Sequence, residues 1–411
     1  MKADSLPLVA IDLGSDSVRA MAAERVGDDL FRVLGVEQSQ RYKCIEQGVI
    51  TSTTNAGYMI NEVLRLLANR IHIENLPTAF VTMGGKSMQI APVKARRDQL
   101  RKREVSAALL EKKKKVAVLE LVPSYFVLDG QEQEEAPTEN QRAALVEAHY
   151  FAFVGKKELE SRLNTAFDQA GRSIECTFVR PDVLLSVFQC EEAKEDEPYD
   201  ILTDGCAVLD MGSQTTTLTV FKGGQYLANK VIPRGGYHIT RALEQQGLSF
   251  STAEKLKTLY GYAAPELVEK NYNFRVQTID GDGEVKVLCT EVAEVIMQKM
   301  DEILVPVLEE LDKYKDRIER LYITGGASML HGIDMYLKER TGYDVRYGMH
   351  DLLLTHNTDE QYFAPTYSAL VGTILMGQDY RDKHKDSLVK KPGFTERIGK
   401  TLVDLFTDQQ Y

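Results

Sequence analysis

Two stretches of this chain set an acid, a glycine and small hydroxyl side chains in the same order. The first reads Leu8-Val9-Ala10-Ile11-Asp12-Leu13-Gly14-Ser15-Asp16-Ser17. The second reads Ala207-Val208-Leu209-Asp210-Met211-Gly212-Ser213-Gln214-Thr215-Thr216-Thr217. In each, an apolar run enters Asp-x-Gly-Ser and a second apolar run leaves it, over 18–22 and 218–221. Glycine lets the backbone turn sharply and approach an anion closely. N–H groups and hydroxyls around such a turn can cradle phosphate oxygens. Gly14, Ser15, Ser17, Gly212, Ser213 and Thr215 are the candidate phosphate ligands. Asp12 and Asp210, at strand ends, could hold Mg2+ through its waters, because that ion keeps several of them. One such turn is an ordinary hairpin. Two in matching context predict a nucleotide clamped between two similar halves.

A third glycine element follows in the second half. Thr324-Gly325-Gly326-Ala327-Ser328 joins an apolar strand to a helix. Bare backbone there lets a flat ring lie close, and a helix N-terminus favours negative charge. Glu254 and Lys257 share one face of a predicted helix at i, i+3. Such a pair is usually a solvated contact of small value. Its setting points to the ribose or adenine edge of a nucleotide.

The elements that must position these residues read as two repeats of one plan. In the first half, hairpin strands over 8–14 and 18–24, a strand over 30–40, a helix over 55–71 and a strand over 79–83 precede Gly84-Gly85. The helix follows from the spacing of Met59, Ile60, Val63, Leu64, Leu67 and Ile71. From 86 to 115 the chain is rich in Lys and Arg, and the stretch 130–139 is acidic. This marks an insert with strands near 116–122, 125–129 and 146–153 and a helix over 157–170. Strand 174–180 and helix 182–192 return to the first core. The second half has strands over 207–211, 216–221 and 225–232, and Arg234-Gly235-Gly236 opens a helix over 237–247. Another helix starts near Thr252. Short strands over 270–290 turn at Asp280-Gly281-Asp282-Gly283. A long helix over 290–314, strand 320–324, helix 328–339 and a last helix from Pro365 to 376 complete the core.

Bulk properties narrow the function. The net charge of −11 argues against a general nucleic-acid binder. The basic run lacks aromatic residues for base stacking. Five scattered Cys without a C-x-x-C fit reduced thiols rather than a disulfide framework or zinc site. The N-terminus shows no signal pattern, no run is long enough to span a membrane, and the seven His show no metal spacing. A polar stretch over 378–393 ends in Lys390-Lys391-Pro392-Gly393, a linker signature. Beyond it, Phe394, Ile398, Leu402, Leu405 and Phe406 fall on one face of a helix at about 100° per residue. Glu396, Arg397, Lys400 and Asp404 lie opposite. A detached amphipathic helix with preceding lysines predicts insertion into an anionic membrane surface.

The order turn, turn, Gly-Gly joint resembles the actin, heat-shock-chaperone and sugar-kinase ATPase fold. Within it, Glu46-Gln47-Gly48-Val49-Ile50, Val122-Pro123-Ser124-Tyr125-Phe126-Val127-Leu128-Asp129-Gly130 and Val231-Ile232-Pro233-Arg234-Gly235-Gly236-Tyr237-His238-Ile239-Thr240 resemble the bacterial cell-division protein family FtsA. So do Ala253-Glu254-Lys255-Leu256-Lys257 before Tyr260-Gly261, and the amphipathic tail. The resemblance covers nearly the whole chain. It implies an α/β, actin-like (ribonuclease H-like, duplicated) two-lobed ATPase fold with an FtsA-type inserted subdomain. Residues 1–84 and 164–200 would form the first core subdomain, 85–163 the insert, 201–232 and 300–377 the second core, and 233–299 its small subdomain. Linker 378–393 and membrane-binding helix 394–408 would follow.

The resemblance further implies ATP and Mg2+ as cofactors. Nucleotide roles pass by motif position to Asp12, Gly14, Ser15, Asp210, Gly212, Thr215, Gly236, Glu254, Lys257, Gly325 and Gly326, with Ser17, Ser213, Gly235 and Ser328 beside them. It implies head-to-tail filaments on the cytoplasmic face of the inner membrane, at the division septum. It also implies that the small subdomain binds the C-terminal peptide of FtsZ, with Lys299 as a candidate cation. Some positions depart from the family. Arg180 stands where chaperone ATPases place Glu and actin places Gln to orient the attacking water. Arg cannot accept a proton from water, so hydrolysis is expected to be slow at most. Arg241-Ala242 and Ala136-Pro137-Thr138-Glu139 also depart, which suggests a divergent branch. Two other functions compete: a PilM-like pilus-assembly protein, and a small-molecule kinase of the same superfold.

Overall fold

The structure, a computed structural model, describes residues 7–39, 43–86, 88–96, 116–133, 143–192, 199–201, 203–277 and 283–384. The first half starts with strands β1 (Leu8–Leu13), β2 (Val18–Gly27) and β3 (Leu30–Gln38). A small ladder of β4 (Ile45–Glu46) and β5 (Val49–Ile50) precedes helix α1 (Thr53–Arg70) and β6 (Thr78–Met83). Then come β7 (Gln89–Arg96), β8 (Val116–Leu128), β9 (Gln131–Gln133) and β10 (Val146–Lys156). Helix α2 (Glu158–Gln169), β11 (Ser173–Val179) and α3 (Arg180–Glu192) close this half. The second half holds β12 (Cys206–Met211), β13 (Thr216–Lys222), β14 (Gln225–Ile232), α4 (Gly236–Glu244) and α5 (Phe250–Tyr260). It continues with β15 (Asn273–Gln277), β16 (Glu284–Leu288), α6 (Cys289–Leu311), β17 (Arg320–Thr324), α7 (Ile333–Thr341), β18 (Asp344–Tyr347) and α8 (Ser368–Lys383).

Among the described residues, one five-stranded sheet has the order β11-β6-β1-β2-β3 and another the order β14-β13-β12-β17-β18. Both follow one plan. The hairpin strands run antiparallel, and the neighbour on the other side of the first hairpin strand runs parallel to it. Asp12 pairs in register with Thr82, and Asp210 with Thr324. The two acids therefore occupy equivalent places at the carboxyl ends of the central strands. Open α/β sheets bind ligands at that edge.

The central strand β1 is almost uninterruptedly apolar because both its faces are covered. Val9 and Ile11 join Ile60, Val63 and Leu64 of α1 in one apolar cluster. Leu8 and Ala10 face a second cluster that joins the two sheets. It takes Phe80 from the first sheet, Val208 and Tyr322 from the second, Val183 and Phe188 from α3, and Leu370 and Ile374 from α8. Phe188 stacks on Tyr322 with ring centroids 5.3 Å apart. The helix that begins at Arg180 is thus packed on both lobes. Helix α6 buries Val292, Ile296, Met300, Ile303, Leu304, Val307 and Leu311, an i, i+3/i+4 stripe, against the second lobe.

The insert forms its own sheet, in the order β7-β10-β8-β9. Strand β8 runs unbroken where two strands were expected. The pairing skips Ser124, since Tyr150 faces Pro123 and His149 faces Tyr125. A proline, with no N–H to donate, is tolerated at such an irregularity. Strand β7 lies inside the basic run, where periodicity predicted none, and exists through its pairing with β10.

Two helix boundaries also differ from expectation. Residues 326–329 form a 3-10 turn, and α7 starts only at Ile333. Between them His331 is drawn into backbone bonds with Gly261 and Ala263. Helix α8 continues to Lys383, so residues 378–383 of the expected linker are helical. Tertiary contacts hold that last turn. Tyr380 packs edge-on against Phe80, and Arg381 pairs with Glu175 at 2.8 Å. The amphipathic tail (Phe394, Ile398, Leu402, Leu405, Phe406), most of the basic run and most of the turn before Gly283 lie outside the described residues.

Candidate functional site

The ends of β1 and β12 face each other, and α3 enters between them. Arg180 is the first residue of that helix. Its guanidinium Nη2 donates to Asp12 Oδ1 at 2.6 Å, and its Nε lies 3.4 Å from Asp210 Oδ2. These side chains keep only 22%, 13% and 12% of their surface exposed. Burial works against the charge on Arg180, but the two aspartates outweigh it and push its pKa up. Burial raises the Asp210 carboxyl; the Arg180 cation opposes that, while Asp12 adds to it.

The second turn is closed from both sides. Gly212 N–H donates to the Thr215 carbonyl at 2.8 Å. The start of α4 then docks on the turn: Gly236 N–H donates to Gly212 O at 3.0 Å and Tyr237 N–H to Ser213 O at 2.7 Å. Gly235 sits so close that a Cβ would lie 2.3 Å from Gly212 O. Gly325 has φ +87°, and a Cβ there would meet Asp210 Oδ1 at 2.6 Å and Met211 O at 2.7 Å. Only glycine fits against the acid in that conformation.

Glu254 and Lys257 are part of a network rather than a solvated pair. Lys257 Nζ donates to Glu254 Oε1 at 2.9 Å, to Thr240 Oγ1 at 2.9 Å and to the Gly236 carbonyl at 3.2 Å. Thr240 Oγ1 also bonds Glu254. Lys257 thereby ties α5 to the start of α4. A Cβ on Gly236 would lie 3.4 Å from Ala327 Cβ and 3.5 Å from Lys257 Nζ, which brings the Gly325-Gly326 joint to the same place.

Other candidates have internal partners. Ser15 Oγ accepts from Gly48 N–H at 3.3 Å. Ser328 is fully buried, and its hydroxyl donates to the Gly325 carbonyl at 2.7 Å, so it braces the joint from within. Ser17 is nearly buried beside the first turn. Gly14 packs on the Ser17 carbonyl. Gly326 is open, with Thr366 Oγ1 at 3.9 Å from a would-be Cβ. Lys299 stands apart, in a groove of about 240 Å3 lined by Arg234, His238, Arg241, Ala242, Gln245 and Glu302. Its Nζ pairs with Glu302 at 2.7 Å.

Sequence reasoning missed the ties across the cleft. Gln214 Oε1, in the second turn, accepts from Gln47 N–H at 3.0 Å, and Gln47 Nε2 donates to the Pro233 carbonyl at 3.3 Å. Thr240 was also missed. Both Gln stand inside motifs quoted above, but the sequence assigned neither a role; only the meeting of two distant loops does. Arg180 was singled out as a departure from the family, but its contact with both acids was not legible.

The acids do not fit a hydrated Mg2+ in this arrangement. Such an ion would sit between Asp12 and Asp210 and reach them through its waters. The Arg180 guanidinium takes that place, donating to Asp12 and pairing by charge with Asp210. Among the described residues, no group of three or more His, Cys, Asp or Glu could hold a metal ion.

A family model described as Cell division protein FtsA matches residues 207–372. That span holds Asp210, the second turn, the Lys257 network and Gly325. The Cell division protein FtsA of Enterococcus hirae is 26% identical over 357 residues, covering 82% of this chain and 77% of that protein. The chain resembles FtsA. Among solved structures, the PilM-PilN type IV pilus biogenesis complex gives a TM-score of 0.67 at 16% identity, over 90% of this chain and 98% of that one. MreB 5 of Spiroplasma citri bound to AMPPNP gives 0.56 at 13% identity, over 93% and 99%. Likeness at these identities shows the fold, which is the actin-like ATPase fold. The FtsA likeness reaches well beyond the span of the family model, into the first lobe as well.

Proposed function

We propose that this chain is an actin-like cell-division protein that binds ATP between its lobes, polymerises on the cytoplasmic face of the inner membrane at the septum, and anchors FtsZ filaments there. One observation carries the nucleotide reading. Asp12, Asp210 with the second turn, Gly235 with Gly236, Lys257 and Gly325 come from five separate segments and converge on one cleft. Backbone amides at tight glycine turns, with a helix N-terminus beside them, suit phosphate. A lysine held at 11% exposure beside α4 suits the sugar or base edge.

The FtsA likeness supports cell division and favours this reading over a pilus-assembly protein, although a PilM complex shares the fold. The groove around Lys299 supports an acidic peptide partner, the C-terminal peptide of FtsZ. Arg234, His238, Arg241 and Lys299 line it, offset in part by Glu302. The tail sequence from Phe394 to Phe406 supports attachment to anionic membrane. No helix among the described residues is long and apolar enough to cross a membrane. Hydrolysis is slow, because the residue entering the cleft from α3 is a cation that cannot act as a base.

Isothermal titration with ATP tests the central step. Saturable binding that weakens in Gly325→Val supports it, and the absence of any ATP or ADP binding to the wild type overturns it.

A further inference from the structure

We propose that Arg180 is a built-in cation that takes over the role of the divalent ion, so that this chain binds ATP without Mg2+. The inference rests on the nucleotide reading above and concerns how that site balances charge.

Three observations lead to it. First, Arg180 touches both acids of the duplicated turns, one from each lobe, at 2.6 and 3.4 Å. A divalent ion held through water by Asp12 and Asp210 would need the same space. Second, the arginine is fixed at its base. Val179 N–H donates to Glu120 Oε2 of the insert at 3.0 Å. Val179 also pairs with Met83 in the first sheet. Phe188, two turns further along α3, stacks on Tyr322. The backbone of Gly84 lies along the arginine side chain, with a would-be Cβ 3.5 Å from its Cβ and Cδ. Third, the guanidinium suits the task. It carries five N–H donors and its charge is permanent. Its hydrogen bond to Asp12 employs one donor, and others can serve phosphate oxygens, the pairing at which arginine excels. The start of α3 adds its own positive end beside them.

The chemistry is one of charge. Two carboxylates facing a polyphosphate repel it unless a cation stands between them. In this chain that cation is covalently attached and costs no binding step.

The test is isothermal titration of the full chain with ATP, once in excess EDTA and once in excess MgCl2, alongside Arg180→Gln. The wild type is expected to bind ATP with affinities within about threefold in the two buffers, whereas Arg180→Gln should weaken by about tenfold or more in EDTA and recover with MgCl2. If the wild type binds in MgCl2 but loses about tenfold or more in EDTA, the inference is overturned and the nucleotide reading stands. If it binds ATP in neither buffer, both fall. Should Arg180→Gln fail to fold, the wild-type comparison still decides the matter.

Discussion

The Arg180 guanidinium lies 2.6 Å from the Asp12 carboxylate although 168 positions separate them in the chain. The same side chain reaches Asp210 in the other lobe at 3.4 Å. Removing one partner of a largely buried pair leaves the other uncompensated, at a cost of about 3–5 kcal/mol. Partial exposure of Arg180 lowers that figure. Arg180→Ala is expected to destabilise the chain by about 1–3 kcal/mol, with two acids left facing each other. Urea denaturation measures it, and an unchanged midpoint would mean that the pair contributes nothing to the fold.

Gly325→Ala and Gly326→Ala should part company. Gly325 combines φ +87° with a would-be Cβ 2.6 Å from Asp210, whereas Gly326 faces open space. Strain of this kind costs about 1–3 kcal/mol. The first substitution should lower the thermal midpoint and the ATP affinity, and the second should change stability little. Equal effects in a thermal-shift assay would show that contact with Asp210 is not the constraint.

Lys257→Met removes the donor shared by Glu254, Thr240 and the Gly236 carbonyl. Groups left without partners there should cost about 1–3 kcal/mol, and ATP affinity should fall with them. A double mutant with Glu254→Gln should lose less than the sum of the two single changes, because the residues form one network. Strict additivity would contradict that.

A pH effect follows from Glu120, which lies near Asp182 and Tyr226 where the insert meets α3 and β14. Tyr226 donates to Asp182 Oδ1 at 2.6 Å. Burial pushes the Glu120 carboxyl well above the usual range; Asp182 adds to this, and the Val179 N–H opposes it. Burial also raises Asp182, against the bond from Tyr226. A raised carboxyl holds its proton more tightly folded than unfolded. Stability from this pair is therefore full below the ordinary carboxylate range and is lost as pH rises through the folded values. Glu120→Gln should flatten that slope. Urea midpoints from about pH 5 to about pH 8 check it, and an identical slope in the variant would exclude Glu120 as a source.

At the groove on the second lobe, Lys299→Glu should weaken an FtsZ C-terminal peptide by about tenfold, since it sets two acids side by side where Lys299 now pairs with Glu302. Fluorescence anisotropy with a labelled peptide reads this, and unchanged affinity removes Lys299 from the contact surface.

Phe406→Glu places a charge on the apolar face of the tail. It should release the chain from anionic vesicles in a sedimentation assay without altering ATP affinity. Filament formation should strengthen attachment, since later insertions in one filament are effectively intramolecular. Vesicle binding that survives deletion of residues 394–411 would end the tether reading.

The sequence by itself determined the duplication and the chemistry of its turns. Asp12 and Asp210 stand at equivalent registers in two sheets of one plan because the same local pattern, an apolar strand followed by Asp-x-Gly-Ser, folds the same way twice. Periodicity is a local signal, and α1 and α6 were legible from it. The tertiary structure decided what depends on distant pairing. Strand β7 has no pattern of its own and exists through β10. Helix α8 passes the expected linker start because Tyr380 and Arg381 find Phe80 and Glu175. Lys257 became a network member because α4 and α5 meet. The closing of the two acids on Arg180 belongs to this second class. Each charge is visible in the chain, but only the docking of α3 between two sheets brings them within bonding distance, where low exposure makes their attraction count.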